Sequence, residues 1–103
     1  MSPSRHGLLD EALAISRRMA ELGGLGEWEA VVALEPQRRQ LLEQAFATHA
    51  PPDEFVTDRV RAILDLDKRL MAQSLEAREQ VAREIAQHGR GRRATQAYHS
   101  AQR

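Results

Sequence analysis

The chain contains no cysteine, which excludes a disulfide framework and a thiolate zinc site and fits a reducing compartment. It has one tryptophan, one tyrosine and two phenylalanines, and β-branched residues are few beside abundant Ala, Leu, Glu, Arg and Gln. That balance disfavours a sheet-built enzyme fold and favours helix throughout. Charges interrupt every apolar stretch well short of a membrane span, and Met1 to Asp10 lacks the apolar centre of a signal peptide. A soluble, cytoplasmic chain without membrane insertion is the expectation. Net charge is also missing, with fifteen basic residues balancing fifteen acidic ones. The balance is not local. Every acid lies at or before Glu84, whereas Arg90, Arg92, Arg93 and Arg103 follow without one, giving an acidic body and a basic tail.

What remains is a 103-residue chain, 42% hydrophobic, enough for one modest core. A single helical domain over residues 1–103 is expected, with residues 1–4 flexible and 89–103 a mobile basic segment. Ser2, Pro3 and Ser4 can precede or cap a helix, and Leu8, Ala12, Ile15, Met19 and Leu22 then recur at spacings of four and three, which is one helical face. Gly23, Gly24 and Gly26 end this first helix near Leu22. Trp28, Val31 or Val32, Leu34, Leu41, Ala45 and Phe46 form a second helical series. Pro36 lacks the N–H that would bond the Val32 carbonyl, so a kink or a fresh first turn is expected there.

Pro51 and Pro52 mark the next turn, and Asp53 and Glu54 suit a helix N-terminus. From Val56, the residues Val60, Ile63, Leu70, Ser74, Val81 and Ile85 take coiled-coil-like positions, broadened by Leu64, Leu66, Met71 and Leu75 and weakened by Asp67. Gly89 and Gly91 interrupt before a short segment, Arg92 to Arg103, that is either a fourth helix or a frayed end. The fold class expected is therefore all-α: an antiparallel bundle of three main helices, the third long, followed by a short C-terminal segment. At 1.5 Å per residue the third helix would reach roughly 50 Å against roughly 30 Å for the others. Leu75, Val81 and Ile85 on the excess length then need cover from the C-terminal segment, a second copy or a partner protein.

Catalytic chemistry is not legible. His6, His49, His88 and His99 are far apart and form no helical pair with a nearby acid, so no metal site and no cofactor are expected. The Gly23 to Gly26 turn lacks both a preceding strand and a following Lys-Ser/Thr, so it reads as a helix stop rather than a phosphate loop. Acid pairs such as Asp65 with Asp67 and Glu76 with Glu79 are ordinary on solvated helices. The tail arginines beside Tyr98 suit phosphate contacts in principle, but zero net charge and the lack of a helix-turn-helix favour a solvated end or an acidic protein partner over nucleic acid.

From Gly26-Glu27-Trp28 the sequence resembles the start of the second helix in the FliT-like flagellar export chaperone family. Upstream, Leu13 to Leu22 resembles the end of that family's first helix. Downstream, Leu34-Glu35 and Arg39 to Glu43, the Pro51-Pro52 turn, the long third helix and Gly91 to Tyr98 extend the resemblance over about Leu9 to Tyr98. No one of these motifs is specific; their order and spacing carry the likeness. The resemblance implies a non-enzymatic cytosolic chaperone that holds the C-terminal region of the filament-cap protein before type III export. It also implies contacts with export-apparatus components and, in some relatives, inhibition of the flagellar master transcription activator. Two departures stand out. Pro36 falls within the second helix, and the sequence runs five residues past Tyr98, where some relatives carry a longer helix that folds over the partner surface, which puts autoinhibition by that route in question.

A groove between helices two and three is the expected partner site, with Leu34, Leu41, Ile63, Leu66, Leu70 and Met71 as apolar candidates that helical spacing alone also allows to be core. Arg92, Arg93 and Tyr98 are the candidates for a secondary or regulatory surface, and Trp28 reads as an anchor over the glycine turn. A dedicated transcriptional anti-activator and a self-associating helical scaffold, with a homodimer as its form, are the competing readings.

Overall fold

In the computed structural model, which describes residues 3–101 and side chains through Arg93, the chain forms three helices: α1 (Arg5–Gly24), α2 (Trp28–Ala45) and α3 (Glu54–Ala101). No strand occurs among the described residues, as the shortage of aromatic and β-branched residues led us to expect. The chain divides into two compact units, residues 1–73 and 74–103, and α3 contributes to both.

Local chemistry sets the helix ends. Ser4 is the N-cap of α1, its Oγ accepting from the Gly7 amide at 3.0 Å, which satisfies one of the orphan donors of the first turn. Gly23 and Gly24 are still helical, so α1 runs two residues beyond the expected stop at Leu22. The reversal falls to Gly26, whose φ of 75° is the only positive value among the described residues and is cheap only for glycine. Pro36 does not split α2, which is continuous from Trp28 to Ala45. A Glu35–Arg39 ion pair spans the proline, and both Pro36 and Val32 are exposed, so water is at hand for the Val32 carbonyl. At the start of α3, Asp53 caps with Oδ1 accepting from the Val56 amide at 2.8 Å.

One expectation fails in the tail. α3 continues through Gly89 and Gly91, and no separate C-terminal segment follows a break. Two glycines cost roughly 1 kcal/mol each against alanine in a helix, and the flanking Ala86, Gln87, Arg90, Arg92, Arg93 and Ala94 are good helix formers that offset this.

In the unit of residues 1–73 the three helices run up, down and up. Leu8 and Leu9 of α1 cluster with Ala45 at the end of α2 and Val56 at the start of α3, with Leu41, Leu42 and Val60 around them. Further along, Ala12 and Leu13 cluster with Ile63, and Leu41, Leu42, Ala62 and Leu66 close the layer. At the far end Gly23 meets Leu70, Gln73 and the Trp28 ring, close enough that a Cβ there would lie 2.7 Å from Leu70 Cδ1. Trp28 thus covers the glycine turn. Between the apolar layers runs a polar bridge. Ser16, 2% exposed, donates to the Ala12 carbonyl at 2.9 Å and accepts from Arg38 at 3.3 Å. Arg38 Nη1 also donates to Asp67 Oδ1 at 2.5 Å. The acid expected to weaken the α3 seam instead joins all three helices through an arginine whose side chain is 14% exposed.

In the unit of residues 74–103, the side chains described up to Arg93 include no buried residue, although Leu75, Val81 and Ile85 continue the apolar series at 57%, 52% and 66% exposure.

Candidate partner-binding site

The candidate groove residues occupy different environments. Ile63 is core, 4% exposed. Leu41 packs on both apolar clusters and Leu66 on the second, Leu70 lies against Gly23, and Leu34 is half-buried. Met71 points outward at 69% exposure. Arg92 and Arg93 are exposed, whereas the side chain of Tyr98 lies outside the described residues.

On the α2–α3 side the open concavity lies nearer the Pro51-Pro52 turn than those six residues suggested. A cleft of about 410 Å³ is walled by Phe46, Pro52, Val56, Thr57, Val60, Arg61 and Leu64. Phe46 and Leu64 are both exposed large hydrophobics, a costly display for a monomer unless something covers it. The signals were present in the sequence: Phe46 ends the α2 series, and Leu64 falls beside the Val56–Ile63–Leu70 row rather than on it. Helical spacing ranked the central row higher, and that row went to the core.

The cleft wall is held in place. Arg5 donates to the carbonyls of Ala50 and Pro51, each at 3.0 Å, pinning the turn that carries Pro52. His6 Nε2 lies 2.7 Å from Asp53 Oδ2 and its ring stacks on Phe55 with centroids 4.1 Å apart. Arg59 sits over the same Phe55 ring at 4.1 Å and donates from Nε to Asp10 Oδ1 at 2.8 Å. The Val56 amide, followed by the His6 contact and nearby Arg5, holds the Asp53 carboxyl below the ordinary carboxylate value.

These contacts are structural and bring together no nucleophile and base. Among the described residues no group of three or more His, Asp or Glu side chains is placed to hold a metal ion, and no helix is long and apolar enough to cross a membrane. What the arrangement offers is a largely apolar recess between the end of α2 and the first turns of α3.

Residues 7–100 match the protein family described as Flagellar protein FliT. The chain belongs to the FliT family. No curated protein and no solved structure matches it significantly. The match covers all of α2 and nearly all of α1 and α3, so both the cleft and the exposed series of residues 74–93 lie within the FliT region. Membership carries, broadly, the role of a flagellar export chaperone.

Proposed function

We propose that this protein is a cytosolic chaperone that holds the C-terminal region of the flagellar filament-cap protein before type III export, with an amphipathic helix of that partner laid against the α2–α3 face. The observation carrying the reading is the recess of about 410 Å³ flanked by exposed Phe46 and Leu64. An export substrate that self-assembles outside the cell carries an apolar helix face, and a preformed recess that buries part of it blocks premature assembly. Met71 extends the contact directly. Leu34, Leu41, Leu66 and Leu70 take part through whatever surface their packing leaves, and Ile63 joins only if the helices part. Arg92, Arg93 and Tyr98 belong to a secondary surface for export-apparatus components or the master transcription activator.

The test is isothermal titration of the full chain with a peptide from the C-terminal region of the cap protein. Saturable binding that a folded Leu64→Asp variant weakens at least tenfold supports the reading, tenfold being about 1.4 kcal/mol. If Met71→Asp abolishes binding and Leu64→Asp does not, the contact lies along α3 beyond the cleft. No binding by a folded chain overturns the reading in favour of an anti-activator or a self-associating scaffold.

A further inference from the structure

Where α1 meets the start of α3, polar partners face each other at two levels: His6 Nε2 lies 2.7 Å from Asp53 Oδ2, and Arg59 Nε lies 2.8 Å from Asp10 Oδ1. Higher up, two bases share one site. Arg17 of α1 and Arg69 of α3 both line one depression of about 180 Å³, together with Ala20, Glu21 and Leu66. Both arginines are exposed, and neither forms an ion pair within 4.0 Å among the described residues. Glu21 is the acid among these lining residues, so the two arginines leave the depression a net positive charge that a further anion would neutralise.

We propose that this depression receives the C-terminal carboxylate of the partner chain. The proposal rests on the chaperone reading, in which the bound segment comes from the partner's C-terminal region. A terminal residue matches every wall: its carboxylate takes N–H donors from Arg17 and Arg69, whose planar forks suit two oxygens. Its last peptide N–H donates to Glu21, and its side chain lies on Ala20 and Leu66. A volume of about 180 Å³ admits one residue's end and excludes a helix. An acidic side chain would bring the same two oxygens but no backbone N–H for Glu21 and only methylenes for the apolar floor.

The experiment compares two versions of the cap-protein C-terminal peptide, one ending in a free carboxylate and one in an amide, each titrated into the full chain. The free acid is expected to bind roughly tenfold more tightly, the scale of one charged hydrogen-bonding group. Arg17→Gln and Arg69→Gln, checked for unchanged helix content, should each shrink that preference while leaving the amide peptide's affinity alone. A third peptide keeps the free terminus and has its last acidic side chain neutralised to the amide. Equal affinity for free acid and amide overturns the proposal and leaves the chaperone reading standing, as does a loss seen only with the third peptide, which would move the contact to a side-chain carboxylate. Failure of all three peptides to bind overturns both.

Discussion

Residues 56–70 and 74–88 of α3 carry similar apolar series at helical spacing, yet they meet different fates. In the first, Val56 and Ile63 are buried and Val60, Leu66 and Leu70 are partly covered. In the second, Leu75, Val81 and Ile85 are all more than half exposed. Both stretches are helical, so backbone periodicity is common to them. The difference is burial: α1 and α2 side chains cluster with the first row, whereas no described side chain of the second is buried. An apolar stripe reports that a helix is amphipathic, and only its neighbours convert the stripe into a core.

The sharpest way to expose that difference is by truncation. Leu9→Ala removes a side chain with 0% exposure and should cost about 3 kcal/mol in denaturant melts, whereas Ile85→Ala should change stability by less than about 0.5 kcal/mol. A comparable loss at Ile85 would mean that something covers it in solution, and a concentration-dependent melt would identify a second copy as the cover.

A smaller effect is expected from the polar bridge that only the first stretch has. Asp67→Ala leaves the Arg38 guanidinium without its carboxylate and should cost about 2 kcal/mol, within the range for hydrogen bonds to charged groups. Replacing both residues with apolar ones should recover most of that loss, since a part-buried ion pair contributes little net stability. If the single and double variants lose the same amount, the bridge is not what holds the helices in register.

Gly89→Ala probes the second stretch. Open space surrounds that position, so alanine should raise helix content at 222 nm and add about 0.5–1 kcal/mol of local helix stability. Unchanged ellipticity would show that α3 does not run unbroken through the glycine. The smallest effect concerns pH. Because the folded Asp53 carboxyl lies below its ordinary value, its contribution is complete above that ordinary value and is lost as pH falls through the depressed folded one. Wild type and Asp53→Asn should therefore converge in stability in acid, and parallel profiles would remove Asp53 from that role.

Much of the fold was readable because its determinants are local. Ser4 and Asp53 cap, Gly26 turns, and the apolar spacing sets three helices, all from a few residues at a time. The glycines at 89 and 91 misled because a local penalty of about 1 kcal/mol each disfavours but does not forbid helix. The candidate site was less readable for the opposite reason. Ile63 and Leu64 are adjacent and similar in size, yet one is core and the other lines the cleft. Their 100° separation on the helix matters only once α1 and α2 take their places. Asp67 likewise looked like a flaw in a seam until Arg38, 29 positions away, reached it beside Ser16.

By itself, then, the sequence determined the helices, their caps and turns, the exclusion of thiolate chemistry and the resemblance that the FliT match over residues 7–100 bore out. Tertiary structure alone decided which apolar residues became core and which stayed open at the cleft. It also turned Arg38 and Asp67 into a bridge and left Arg17 and Arg69 facing one recess. Caps, turns and helical spacing are encoded in neighbouring residues, whereas burial and charge pairing depend on atoms that meet only after distant segments pack.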